Sequence, residues 1–236
     1  MKLAVMQPYI FPYLGYYQLV GAVDMFIFFD DVNFINKGWI NRNNILQQNN
    51  AARFTVPLSK ASQNKLINEI EISEYEKWRN DFLKSISFNY KKAPFFPVIY
   101  KWLEELLSAK NYHMISDLAA DSVKGVAQLT GMETHFDYSS KINYDRETAT
   151  NGQDKVLRIC ELNNAHQYIN PKNGTELYDA EQFREKNIQL NFINMDEIVY
   201  HQFKGVNFVP NLSIIDVLMF NDISEVKTIL KKYTLN

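Results

Sequence analysis

The sequence predicts an α/β fold: a mostly parallel sheet with a helical subdomain inserted into it. Three observations lead there. Short apolar runs of strand length alternate with segments of helical periodicity. The first two such runs each end in a dense polar loop. Between residues 75 and 131 the texture turns wholly helical, and afterwards the strand–helix alternation resumes.

Each element follows from local pattern. Residues 3–6 are apolar and stop at Gln7-Pro8, as a buried strand does. Residues 7–13 contain Pro8 and Pro12 and form a loop. Residues 15–22 read as a short helix, with Leu14, Tyr17, Leu19 and Val20 as its apolar positions. Residues 25–29 are a second apolar run, closed by Asp30-Asp31. Two strands flanking a helix suggest a parallel βαβ unit, although the spacing is tight for a crossover of roughly a dozen residues. Residues 33–50 are polar and rich in Asn. Residues 53–57 alternate, with Phe54 and Val56 on one side. Residues 67–72 alternate only through Ile70 and Ile72 and are expected to be a strand. Helical periodicity then covers 75–90, 97–107 and 114–129, with Gly131 as a stop.

The remainder alternates again. Residues 134–138, 166–169 and 188–193 read as strands; 152–162 and 180–186 read as helices; 171–174 form a turn. Residues 212–220 and 223–232 make a helical ending. Residues 1–74 and 132–236 would then form one Rossmann-like α/β domain, and 75–131 a helical insertion.

Composition bounds the function. Hydrophobic residues make up 46% of 236, enough for a substantial core. Twenty-five basic residues face 27 acidic ones with no basic stripe, which argues against broad binding of nucleic acid. Cys160 is the single cysteine, so neither a disulfide nor a cysteine-built zinc site forms within one chain. Residues 1–6 are too short for a signal peptide, and no run of about 18 apolar residues exists to span a membrane. The expectation is a cytoplasmic protein.

Two polar loops carry the candidate chemistry. The first runs Gln7-Pro8-Tyr9-Ile10-Phe11-Pro12-Tyr13-Leu14-Gly15-Tyr16-Tyr17-Gln18, directly after the first strand. Ligands of parallel sheets bind beyond the carboxyl ends of the strands. A glycine at a helix start lets a ligand approach the backbone. The loop is therefore either a pocket lined by Gln7, Tyr13, Tyr16 and Gln18, with Gly15 at its base, or an aromatic turn packed on the core. The second loop, from Asp30 to Asn43, follows the second strand and belongs on the same edge. Asp30 and Asp31 are adjacent carboxylates able to act as a base or as cation ligands. Lys37 and Arg42 can clamp a phosphate or carboxylate. Trp39 can stack on a base or sugar ring. The competing reading is a solvated loop with Asp31 paired to Lys37.

The other candidates are weaker in pattern. Asn170-Pro171-Lys172-Asn173-Gly174 follows a predicted strand and can hold an anion on its amides, or be an ordinary turn. His113, His135, His166 and His201 show no metal-ligand spacing, so no metal is expected. His201 is the best placed of them for a general base. Ser213 and Asp216 stand at i and i+3, the spacing of a helix N-cap and its acidic partner.

These motifs carry a resemblance. Met6-Gln7-Pro8-Tyr9 with Phe11-Pro12-Tyr13-Leu14-Gly15-Tyr16 resembles the signature of the WbqC-like family. So do Asp31-Val32 with Gly38-Trp39-Ile40-Asn41-Arg42-Asn43, Tyr168-Ile169-Asn170-Pro171 with Gly174, Leu177 and Tyr178, and Leu212-Ser213-Ile214-Ile215-Asp216. The resemblance runs from Met6 to about Asn221. It implies a bacterial protein associated with O-antigen or other surface-glycan genes, without fixing a reaction.

Tyr13-Leu14-Gly15-Tyr16 also falls where HIGH-type nucleotidyltransferases carry His-x-Gly-His, but with tyrosines, which are neutral near pH 7. The expectation is a transferase modifying an amino sugar or sugar nucleotide by acyl or aminoacyl transfer. Lys37, Arg42 and Asn43 would hold an anionic donor, Asp31 would be the base, and Tyr13 or Tyr16 would orient the acceptor. A non-catalytic binding protein of the glycan pathway and a nucleotidyltransferase are the alternatives. The sequence leaves the cofactor open. The partner expected is a small molecule, a sugar nucleotide or an acyl donor.

Overall fold

The computed structural model describes residues 1–145, 149, 151–203 and 207–236. Its frame is a six-stranded sheet. The strands are β1 (Lys2–Met6), β2 (Met25–Phe28), β7 (His135–Tyr138), β8 (Gln167–Pro171), β9 (Gln189–Met195) and β10 (Tyr233–Leu235), in the order β10-β9-β8-β1-β2-β7. Every neighbouring pair is parallel except β9 and β10.

The alternation of side chains explains how the sheet is covered. On β1, Leu3 and Val5 join Ile27 and Tyr168 in one core, while Ala4 joins Phe26, Phe28 and Ile169 in another. A strand presents successive residues to opposite faces, so a fully apolar strand needs helices on both. One face packs on α5 (Gly152–Leu162) and α6 (Ala180–Glu185) through Val156, Ile159, Cys160 and Phe183. The other meets α1 (Leu14–Ala22), α4 (Ile115–Thr130), α7 (Ile214–Phe220) and α8 (Ile223–Ile229).

The tight first crossover closes because α1 is short. Nine residues rise about 14 Å, enough to return the chain beside β1 in parallel register. The helix is apolar nearly all round, with Tyr16, Tyr17, Leu19 and Val20 all buried. It is sandwiched between the sheet and later helices rather than lying at the surface.

Between β2 and β7 the chain makes two small hairpins and then α2 (Tyr75–Tyr90), α3 (Phe96–Ser108) and α4. Gly131 ends α4 in the left-handed region at φ +68°, as its position after the periodic stretch predicts. The hairpins depart from expectation. The Asn-rich stretch contains β3 (Arg42–Gln47), paired antiparallel with β4 (Asn50–Thr55) through a turn with Gln48 and Asn49 both at positive φ. Two positive φ values match the twist of a tight hairpin. Gln-Asn does this without the usual glycine, which is why the pattern hides it. Residues 67–72 are not one strand. They form a 3-10 turn (Ile67–Glu69) and the two-residue β6 (Glu71–Ile72), which pairs with β5 (Leu58–Ser59). At the other end, β10 follows α8 and adds an edge strand that the expected helical ending did not include.

The chain therefore leaves β1 in two directions. It passes first to β2 and β7, then returns to β8 on the opposite side of β1 and continues to β9. The crevice beyond the carboxyl ends of β1 and β8 is the switch point of the sheet, where open α/β folds place ligands.

Candidate functional site

A cavity of about 1000 Å³ opens at that switch point. Its floor comes from the strand ends: Met6 and Gln7 after β1, Asn170 and Pro171 from β8, and Met195 from β9. Its walls come from the loop after β1 (Tyr9, Tyr13), from Trp39 and Ile35, and from Tyr178 and Leu177. The described lining residues are all uncharged, and amides and phenols supply most of its polar groups.

The loop after β1 is held by its backbone. Phe11 is fully buried and adopts φ +38°, a left-handed conformation that costs a non-glycine residue about 1–3 kcal/mol. Three side chains over-determine it. Ser122 Oγ accepts from the Phe11 N–H at 2.9 Å. The Phe11 carbonyl accepts from Asn43 Nδ2 and from Ser213 Oγ, each at 2.8 Å. Asn43 also donates to the Ile10 carbonyl, and its own oxygen accepts from the Asn44 N–H. Tyr16 Oη donates to the Gln7 carbonyl at 2.8 Å. With the backbone fixed in this way, the side chains of Gln7, Tyr9 and Tyr13 make no hydrogen bond among the described residues. Burial raises the Tyr9 and Tyr13 phenols above their ordinary pKa, and the Tyr13 ring adds to the effect on Tyr9. Both are therefore protonated donors at neutral pH.

Gly15 supports the wall from behind. A Cβ there would overlap Met195 Sδ and crowd the Tyr13 ring. The close neighbour of this backbone is thus Met195, itself part of the lining. Gly174 has a matching role: a Cβ would overlap Asn170 Oδ1. Asn170 is 6% exposed, and its Nδ2 donates to Tyr168 Oη at 2.8 Å.

The predicted site residues divide between the cavity and other places. Gln7, Tyr13, Trp39, Asn43, Asn170 and Gly174 line it together. Tyr16 lies behind the loop, and Gln18 donates to the carbonyls of Ile229 and Lys232, tying α1 to the end of α8. Asp31 lies at the β2–β7 junction, where it accepts from Ser139 Oγ and, at 2.7 Å, from Tyr144 Oη. Asp30 accepts there from Ser139 Oγ and from the Ser140 amide and hydroxyl. Lys37 is exposed at φ +62°. Arg42 Nε donates to the Gly38 carbonyl at 2.8 Å. His201 lines a second hollow of about 810 Å³, with Tyr200, Phe220 and Lys232.

Asp216 differs from its expected capping role. Ser213 does cap α7, accepting from the Ile215 N–H, but its own N–H donates to the Asn44 carbonyl. Asp216 points elsewhere and accepts from Tyr90 Oη, Tyr200 Oη and Gln202 Nε2 at 2.6–2.8 Å. Burial raises its pKa, against the lowering by these three donors. Several lining residues escaped the sequence reading, among them Tyr9, Asn44, Asn151, Gln153, Met195 and Asn211. For Asn151 and Met195 the signal was topological. Asn151 precedes α5 and Met195 ends β9, so each lies at the carboxyl edge of a parallel strand.

Comparison with known proteins places the chain in a wider group. The model of the WbqC-like protein family matches residues 7–228. A protein of Mycobacterium tuberculosis, described as the uncharacterized protein Rv1507c, is 27% identical over 223 residues, covering 93% of each chain. No solved structure matches.

Proposed function

On the premise that this chain belongs to the WbqC-like protein family, we propose that it is a transferase of O-antigen or other surface-glycan assembly. It modifies an amino sugar or sugar nucleotide by acyl or aminoacyl transfer. The observation that carries the reading is the cavity at the switch point, with its uncharged, unspent hydrogen-bonding groups on Gln7, Tyr9, Tyr13 and Asn170 beside Trp39. Amides and phenols match the hydroxyls of a sugar, and an indole covers an apolar ring face.

The same chemistry suits an amine acceptor. An amine attacks an acyl carbon only in its neutral form, and enclosure away from solvent disfavours the ammonium. The amine nitrogen bonds the acyl carbon of a thioester. The thiol then leaves and takes up the proton the nitrogen loses. In this reading Tyr13 orients the acceptor, and Asp31 holds β2 against β7 rather than acting as the base.

The test is a thermal-shift screen of the purified protein against nucleotide sugars, free amino sugars, acyl-CoA and acyl-carrier thioesters, followed by mass spectrometry of any stabilising pair. A sugar ligand that raises the Tm, and gains the acyl mass when the thioester is added, is the expected result. A screen in which no sugar stabilises the fold overturns the reading. A second reading, a non-catalytic glycan-binding protein, is favoured by one observation: the described lining residues contain no nucleophile–base pair. Stabilisation by a sugar with no mass gain for any thioester would select it.

A further inference from the structure

We propose that the cavity takes a sugar nucleotide sugar-first: the sugar hydroxyls bridge Gln7 and Asn170 across the β1–β8 crevice, and the nucleobase rests against Trp39 at the mouth. This orientation rests on the sugar-transferase reading above and adds to it.

Asn170 is the centre of the argument. Its side chain is buried, and its Nδ2 is held by Tyr168 Oη at 2.8 Å and, more loosely, by Tyr178 Oη at 3.4 Å. That fixes the amide plane and turns Oδ1 toward Gly174, the position where a Cβ would overlap it. Oδ1 has no hydrogen-bond donor among the described residues, yet it is not sealed from solvent. A buried amide oxygen in this state costs free energy until a hydroxyl or a water donates to it. Gln7, just past the end of the adjacent strand, lines the same cavity, with its backbone fixed by Tyr16 Oη. Its amide adds both a donor and an acceptor. Two neutral amides, one presenting an acceptor oxygen, address hydroxyls; an acceptor oxygen repels a phosphate.

The phosphates are directed outward for a second reason. Comparable sheets bind phosphate at the N-terminus of the helix after the first strand. Here that backbone is covered by Met195 at Gly15, by the Tyr13 ring, and by the bond from the Tyr16 N–H to the Tyr13 carbonyl. The mouth offers what the floor lacks. Trp39 is 43% exposed, and the Arg53 guanidinium stands 6.0 Å from its ring centroid. Arg53 makes no ion pair among the described residues. An indole beside an unpaired guanidinium suits a nucleobase and its diphosphate.

Isothermal titration tests this, using UDP-, dTDP-, GDP- and CDP-linked hexoses and hexosamines against each parent nucleoside diphosphate. At least one nucleotide sugar is expected to bind about tenfold or more tightly than its parent diphosphate. Asn170→Ala and Gln7→Ala should erase that difference and leave the diphosphate's affinity within about twofold. Gly174→Ala, which displaces the Asn170 amide without removing it, should do the same. Trp39→Ala should weaken nucleotide sugar and diphosphate alike. Melting curves check that each variant is folded. If nucleotide sugar and diphosphate bind equally, the orientation is overturned while the transferase reading stands. If only a free amino sugar binds, the nucleotide arm is overturned. If no sugar ligand of any kind binds, both readings fail together.

Discussion

Two polar loops leave the sheet side by side and use their side chains in opposite ways. In the loop after β1, buried neighbours hold the backbone, through Ser122, Asn43, Ser213 and Tyr16, and the side chains of Gln7, Tyr9 and Tyr13 are left over. In the loop after β2 it is the charged side chains at its two ends that are consumed, while Trp39 between them reaches the cavity. Asp30 and Asp31 are bonded to Ser139, Ser140 and Tyr144, and Arg42 Nε to the Gly38 carbonyl. The density of polar residues is similar in both, so density alone does not mark a binding site. Hydrogen-bonding capacity that remains after folding does.

The largest expected effect tests that contrast at its sharpest point. Asp31→Ala removes a carboxylate that accepts from both the Ser139 and Tyr144 hydroxyls in a buried network, and its loss should cost about 1–3 kcal/mol in urea unfolding. The folded fraction should bind sugar ligands as the parent does, because the cavity lining is unchanged. A variant of near-parent stability that no longer binds would turn Asp31 into a ligand group and break the comparison.

Asp216 sharpens it next, as a buried carboxylate both of whose oxygens are engaged, by Tyr90, Tyr200 and Gln202. Its folded pKa is raised above the unfolded 3.8, chiefly by burial. Its stabilising contribution is then fully present below the unfolded value and is lost as pH rises through the raised folded value. Asp216→Asn should flatten that fall in urea midpoint with pH. It should also cost on the order of 1–3 kcal/mol, since its NH₂ must face a former donor. A pH profile identical to the parent's would mean that the carboxylate does not titrate in this way.

Much of this frame was legible in the sequence, for definite reasons. Apolar runs closed by Gln7-Pro8 and Asp30-Asp31 located β1 and β2, and Gly131 located the end of α4. The cavity loop was found because position after a parallel strand is a topological fact that the order of elements already contains. What escaped was set by tertiary partners. Gln48 and Asn49 adopt positive φ without glycine, so β3 was hidden. Ser213 and Asp216 have capping spacing, yet Asp216 serves Tyr90 and Tyr200, which lie 126 and 16 residues away in sequence. Gly15 promised open backbone, and Met195, from the end of β9, covers it. No local pattern reports which distant side chain will arrive.

That last pairing gives a smaller, paired prediction. Gly15→Ala forces Met195 Sδ to move, and because a thioether is flexible the stability cost should be about 1 kcal/mol. Met195 would then shift within the cavity it lines, weakening sugar binding. Adding Met195→Ala should restore binding in part, since the more severe of the two overlaps is then gone and only the Tyr13 ring must shift. Failure of the second substitution to rescue the first would assign the effect to Tyr13, the other neighbour of that Cβ.

The smallest stability effect belongs to the residue on which the contrast turns. Gln7→Ala removes a side chain that bonds nothing among the described residues, while the backbone bond from Tyr16 remains. Unfolding should change by less than about 0.5 kcal/mol. Affinity for a cavity ligand should fall about tenfold, the usual consequence of leaving a ligand hydroxyl unpaired. Asp31 and Gln7 thus predict opposite ratios of stability loss to binding loss from neighbouring strand ends. Measuring both ratios decides whether residual hydrogen-bonding capacity separates the two loops. If Gln7→Ala proves as destabilising as Asp31→Ala, the loop after β1 is a packing element like its neighbour, and the cavity loses its principal hydrogen-bonding group.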